Sequence, residues 1–200
     1  MKRIDEQRLE EDLAYRFGYL QEFIGFGPAD VQAIREAIPY LAPRVGQIVE
    51  ATYEKLLAYD ATARHFLPRQ HGYQGKLPEG LEDLSQNHAQ IRFRKEHLQR
   101  YLMNLLGHSY NEKIAVYLDT VGKMHTPRAG NPQIDVPLVQ MNALMGLLSD
   151  ILWEHLAASG LEGEKLLRIG RAFNKLLWLQ NDFITRHYAA QPLAAEAAGA

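Results

Sequence analysis

The chain predicts an all-α protein, and three observations carry that reading. Apolar residues recur at steps of three and four through most of its 200 residues. No segment alternates with period two between hairpin turns. Glycine and proline gather at a few points that separate long periodic stretches. The pattern resolves into about seven or eight helices.

Leu9, Leu13, Arg16 and Leu20, with Phe17 and Phe23, form a first amphipathic stretch over residues 5–24, which GFGP at 25–28 ends. Pro28 suits the first turn of a second helix, because its missing N–H has no partner to lose there. Residues 29–41 and 43–59 read as two helices parted around Pro39 and Pro43. The later one carries Val45, Ile48, Val49, Thr52, Tyr53, Leu56 and Leu57 at 3–4 spacing, which puts Tyr53 on an apolar face. LPRQHGYQGKLPEG, residues 67–80, reads as one long loop, too short to divide domains.

From Leu81 a heptad through Leu84, His88, Ile91, Lys95, Leu98, Leu102 and Leu105 predicts a long helix ending near Gly107. A helix over 110–125 follows. After RAGNPQ come two long helices, about 135–158 and 161–188. Residues 1–188 read as a single domain, and the Ala-rich tail at 189–200 reads as disordered.

Composition narrows the function classes. A net charge of −2 leaves no basic field for nucleic acid or anionic lipid. Cysteine is absent, which removes disulfides, thiolate nucleophiles and Cys-ligated metal. The N-terminus carries acids where a signal peptide would be apolar, and no run approaches the roughly 18 apolar residues of a membrane span. The expectation is a soluble, cytoplasmic protein with neither nucleic acid nor membrane as partner.

Few motifs carry chemistry. GHSYN at 107–111 has Asn111 where a nucleophile elbow has its second Gly, and its neighbours are helical. Neither HExxH nor the Glu-x-x-His pairs of a di-iron bundle occurs. RFRKEHLQR at 92–100 reads as a solvated helix face. Five histidines, His65, His71, His97, His108 and His187, fall in loops or on polar faces and are expected to be exposed. His88 and His155 lie beside apolar stripes, where a bond to a backbone carbonyl is the expectation.

His125 is the exception. It follows Ile114, Leu118 and Val121 at steps of four, three and four, so it points the way the core-facing residues do. Spacing alone leaves two readings: a protonated imidazole interacting with the helix C-terminus, or a neutral one facing an apolar cavity. One buried imidazole cannot hold zinc, which takes three or four protein ligands. It can hold a haem iron, because the porphyrin supplies the other four.

Several separated segments, spanning roughly 12–187, resemble the protoglobins and the haem domain of globin-coupled sensors. YNEKIAVYLDTVGKMHT, 110–126, resembles the F-helix segment in which a Val-Gly pair precedes the proximal histidine. IVEATYEKLLAY, 48–59, resembles the B helix with its distal tyrosine, although Thr52 stands where archaeal members often have tryptophan. IDVPLVQMNALMGLL, 134–148, resembles the start of the G helix. Residues 5–24 resemble the family's extra N-terminal helix, and the helix from Leu81 resembles its E helix, with no distal histidine.

The resemblance implies a globin fold of protoglobin type holding haem b, with His125 on iron, Tyr53 on the distal side, and Phe66, Leu98, Val136, Leu144 and Leu148 lining the macrocycle. It implies a diatomic gas ligand (O2, CO or NO) and a homodimer through the last two helices. A stand-alone gas binder, or a sensor signalling through a separate partner, is the leading expectation. The alternatives are a haem enzyme with NO dioxygenase or peroxidase-like turnover, served by a separate reductase or an oxidant, and a cofactor-free helical dimerisation module.

Overall fold

The structure, a computed structural model, describes residues 1–188; the tail read at 189–200 lies outside the described residues. The described residues are all-α, with no strand among them. The α-helices are α1 (Glu6–Glu11), α2 (Leu13–Ile24), α3 (Pro28–Leu41), α4 (Val45–Leu57), α5 (Asp60–Ala63), α6 (Ala89–Gly107), α7 (Glu112–Lys123), α8 (Leu138–Ala157) and α9 (Gly163–Thr185).

The N-terminal stretch is two helices, not one. Asp12 ends α1 and starts α2, and its carboxylate accepts from the N–H groups of Ala14 and Tyr15, which no helical carbonyl reaches. Helix α2 ends at Gly25, whose φ of 72° lies in the left-handed region that a side chain disfavours. Helix α3 runs through Pro39 to Leu41 before a 3-10 turn at Ala42–Arg44, so Pro43 and not Pro39 marks the break.

The heptad from Leu81 overstates the next helix. Leu81–Asp83 is a 3-10 turn, and α6 begins only at Ala89. His88 is its N-cap, with Nδ1 accepting from the Gln90 N–H at 3.1 Å, so a local side-chain cap overrides the upstream periodicity. Gln90 and Lys95 are buried polar members of this helix.

The main core gathers around α9, which packs on α3, α7 and α8, with Ile34, Leu118, Ile169, Leu179 and Phe183 fully enclosed. Arg16 on α2 clasps Asp182 on α9 through Nε (2.6 Å) and Nη2 (2.9 Å), a two-pronged pair between distant parts of the chain. A second, smaller apolar cluster stands apart: Met141, Met145 and Leu148 of α8 with Ile184, flanked by Val136, Leu144, Leu177 and Tyr188. Helices α8 and α9 contribute to both clusters.

Candidate functional site

Helix α7 delivers His125. Asn111 caps its start by accepting from the Lys113 N–H, and Ile114 and Leu118 are buried on its inner face. At Gly122 the helix comes so close to α9 that an added Cβ would lie 2.5 Å from the Phe183 carbonyl oxygen and 2.7 Å from the Ile184 Cα. That close approach gives the Val-Gly pair its physical reason, since only a residue without a side chain fits. Helix α7 ends one residue later, and Thr126 Oγ1 donates to the Lys123 carbonyl at 2.9 Å.

His125 turns back onto its own helix. Its Nδ1 lies 2.8 Å from the Val121 carbonyl oxygen, and a carbonyl only accepts, so Nδ1 carries the proton and Nε2 keeps a lone pair. Burial holds its pKa below the usual histidine range, against the raising effect of the Val121 bond and with a smaller lowering by the Arg94 charge. A lowered pKa favours the neutral imidazole over the protonated cap. The ring does satisfy one last-turn carbonyl while leaving Nε2 free. His125 is partly buried.

The facing wall is built from α4, the segment after α5, and the first turns of α6. Tyr53 is buried on α4, and its ring centroid lies 5.5 Å from that of Phe66. Its hydroxyl has no hydrogen-bond partner among the described residues. Burial pushes its pKa up to about 12, slightly opposed by Arg94, so it stays a neutral donor. Immediately before it, Thr52 is fully buried, and its hydroxyl is spent on the Ile48 carbonyl at 2.7 Å.

Phe66 is held by Gln90. The Gln90 amide donates to the carbonyls of Phe66 (2.7 Å) and Pro68 (3.2 Å) and accepts from the Gln70 N–H (3.2 Å). Arg94, one turn on, donates from Nη2 to Pro68 O at 3.0 Å and lays its guanidinium carbon 5.2 Å over the Phe66 ring. Its Nε is enclosed and has no partner. The Arg94 charge opposes the rise in the Tyr53 pKa and adds to the lowering at His125.

Helices α6 and α7 meet at a tyrosine pair. On α6 Arg94, Leu98 and Tyr101 follow at steps of four and three; on α7 Tyr117, Val121 and His125 follow at steps of four. Tyr101 and Tyr117 stack with centroids 5.7 Å apart and close one end. Leu98 packs on the main core, whereas Val136, Leu144 and Leu148 lie in the second cluster. The Val136 N–H donates to the His125 carbonyl at 3.0 Å, which ties that cluster to the end of α7.

The residues expected at the site beside His125 are divided between the two apolar clusters. Tyr53 and Phe66 touch each other, and Val136 is bound to His125 through the backbone. Gln90 and Arg94 are the members that sequence reasoning missed: RFRKEHLQR reads as solvated, yet Arg94 and Lys95 turn inward. His187 is a further correction. Its side chain is 9% exposed, and its Nε2 lies 3.0 Å from the Asp119 carbonyl, which it binds across from α7.

Residues 13–193 match the family model described as Protoglobin. The chain belongs to the protoglobin family. No curated protein is similar enough to match. Membership makes this a globin-type haem protein that binds gases. The donor set of this protoglobin fits such a group. The His125 imidazole has an uncommitted Nε2 and is tied through its backbone to the second apolar cluster, and the Arg94 Nε and Tyr101 hydroxyl are enclosed without partners. Among the described residues no three His, Asp or Glu side chains converge as a metal ion held by protein ligands alone would need. No described helix of this protoglobin is long and apolar enough to cross a membrane.

Proposed function

We propose that this protoglobin is a b-type haem protein that binds O2, CO or NO, with His125 as the protein ligand to iron. The observation that carries the reading is the hydrogen bond from His125 Nδ1 to Val121, which fixes the tautomer and leaves Nε2 free to ligate. Leu98, Phe66 and Tyr53 would line one side of the macrocycle, and Val136, Leu144 and Leu148 the other. Haem iron supplies an open coordination position at which a diatomic gas binds reversibly.

The protein's own contribution is twofold. His125 is oriented by its bond to Val121 and by the seating of Gly122 on α9, so little freedom is left to lose on ligation. Tyr53 remains protonated and presents an uncommitted hydroxyl, which would donate to the partial negative charge of O2 held at the iron. The apolar walls exclude water and hold the group without covalent attachment.

Residues 1–188 form one cytoplasmic haem domain in this reading, acting as a gas binder or as a sensor that signals through a partner. It pairs with a second copy through α8 and α9, where Val139, Leu167 and Trp178 are strongly exposed.

The test is an absorption spectrum of the purified protein. A strong Soret band is expected, which His125→Ala weakens or shifts and added imidazole restores. A stably folded wild type that takes up no haem overturns the reading in favour of a cofactor-free helical module. NO consumption that depends on an added electron donor would mark an enzyme instead of a carrier.

A further inference from the structure

Arg94 is a cation in the interior for which the described residues provide no anion. Its Nη2 is spent on the Pro68 carbonyl, its Nε is enclosed with no acceptor, and it pairs with no described carboxylate. Neighbouring Lys95 has the opposite arrangement, with Nζ 2.5 Å from Glu50 Oε2. A guanidinium stays protonated at any pH the fold survives, so the charge cannot be shed. Taking it out of water without a counter-charge costs several kcal/mol. The Phe66 face at 5.2 Å offsets part of that cost but leaves the N–H groups bare.

The position of this charge decides what it acts on. The Phe66 ring joins it to Tyr53: the guanidinium carbon lies 5.2 Å from the Phe66 centroid and the Tyr53 ring 5.5 Å from it, so the enclosed Nε–H and the free tyrosine hydroxyl belong to side chains packed on one ring. Two donors, one of them cationic, would then face whatever occupies the open iron position. A neutral diatomic needs one donor at most. A small anion with acceptor atoms at both ends uses both, and guanidinium donors suit it geometrically.

We propose that Arg94 is a specificity-determining residue that makes the Tyr53 side of the site a receptor for small anions of the size of azide or nitrite, bound at the same position as the gas. The inference rests on the haem reading above. Its rival within that reading is a haem propionate as the anion that Arg94 holds.

The experiment uses the ferric haem-loaded protein, titrated with azide, nitrite and the neutral ligand imidazole, in wild type, Arg94→Met and Arg94→Lys. Removing one charge-assisted bond should weaken azide and nitrite by about 10- to 100-fold in R94M. Imidazole affinity should be unchanged or tighter, and R94K should fall between. The C–O stretch of the ferrous CO form, which responds to nearby positive charge, should rise in R94M. Equal weakening of all three ligands, or faster haem loss with the anion-to-neutral ratio unchanged, assigns Arg94 to a propionate or to structure and overturns the proposal. R94K keeps the charge and the packing, so the ratio remains measurable if R94M misfolds. A wild type that takes up no haem defeats the underlying reading itself, whereas an unchanged ratio in a haem-loaded protein defeats this inference alone.

Discussion

The two walls of the site are positioned by different means. On the His125 side the geometry comes from backbone packing: Gly122 lets α7 touch α9, and one bond to Val121 sets the ring. On the Tyr53 side it comes from polar side chains, with Gln90 clamping three backbone groups of the Phe66–Gln70 segment and Arg94 a fourth bond on Pro68. A helix–helix contact is stiff and tolerates no added volume. A polar clamp holds a loop that has little apolar area of its own, and it fails when one member is lost. On the proposed haem reading, the His125 wall would hold one ligand still, and the Tyr53 wall could be retuned by single side chains.

Breaking the polar clamp has the largest expected effect on stability. Gln90→Leu leaves the Phe66 carbonyl and the Gln70 N–H unpaired in a buried setting, which costs about 3 kcal/mol. Denaturant unfolding of the haem-free protein measures it. The iron–histidine stretch in the ferrous protein should stay put while ligand off-rates change. A shifted stretch would mean that the two walls are not independent.

Gly122→Ala attacks the other wall. An exposed helical glycine gains up to about 1 kcal/mol on this change. Here the new methyl meets backbone at 2.5 Å, and neither helix can give way by rotating a side chain. A net loss of about 1 to 2 kcal/mol is expected, with a shifted iron–histidine stretch and nearly unchanged distal behaviour. A stabilised variant would show that α7 is free to slide on α9.

The difference between the walls also explains what was legible in the sequence. The His125 side could be read because an apolar stripe with period 3.6 predicts which way a side chain points, and Ile114, Leu118 and Val121 carry that stripe to His125. Long helices emerged for the same reason, within two or three residues for α7, α8 and α9. The Tyr53 side was hidden. Gln90 and Arg94 are polar, and burial of a polar residue depends on partners 20 or more positions away, which no local period encodes. His88 sits on the heptad and still caps the helix, because a side-chain bond to Gln90 N outweighs a periodic signal that continues upstream. His187 was misread likewise, since its partner Asp119 lies on another helix.

Tyr53→Phe separates the clamp from the donor, because Phe66, Gln90 and Arg94 keep all their bonds. Loss of one hydrogen bond to bound O2 should raise its off-rate about tenfold. There is a second signature at alkaline pH. The folded-state pKa lies at about 12, above the ordinary value near 10. Below pH 10 the stabilisation is fully present; above it the unfolded chain releases a proton that the folded one retains. Stability should therefore fall by about 1.4 kcal/mol per pH unit from this residue between pH 10 and 12. Y53F should flatten that limb in unfolding experiments, and an identical slope in both proteins would place the phenol in contact with water.

The smallest effect should come from Glu50→Gln, also on the Tyr53 wall. Lys95 is largely buried, with its ammonium 6.0 Å from the Tyr53 ring centroid, but Glu50 is 59% exposed. Water and salt therefore screen the pair, and about 0.5 kcal/mol is expected, shrinking further as ionic strength rises. The Lys95 ammonium keeps its aromatic neighbour, so the O2 off-rate should change less than twofold. The contrast with Gln90 is the point of the measurement. Both residues make polar bonds on one wall, yet only Gln90 is fully enclosed, and burial rather than charge should decide which loss is felt.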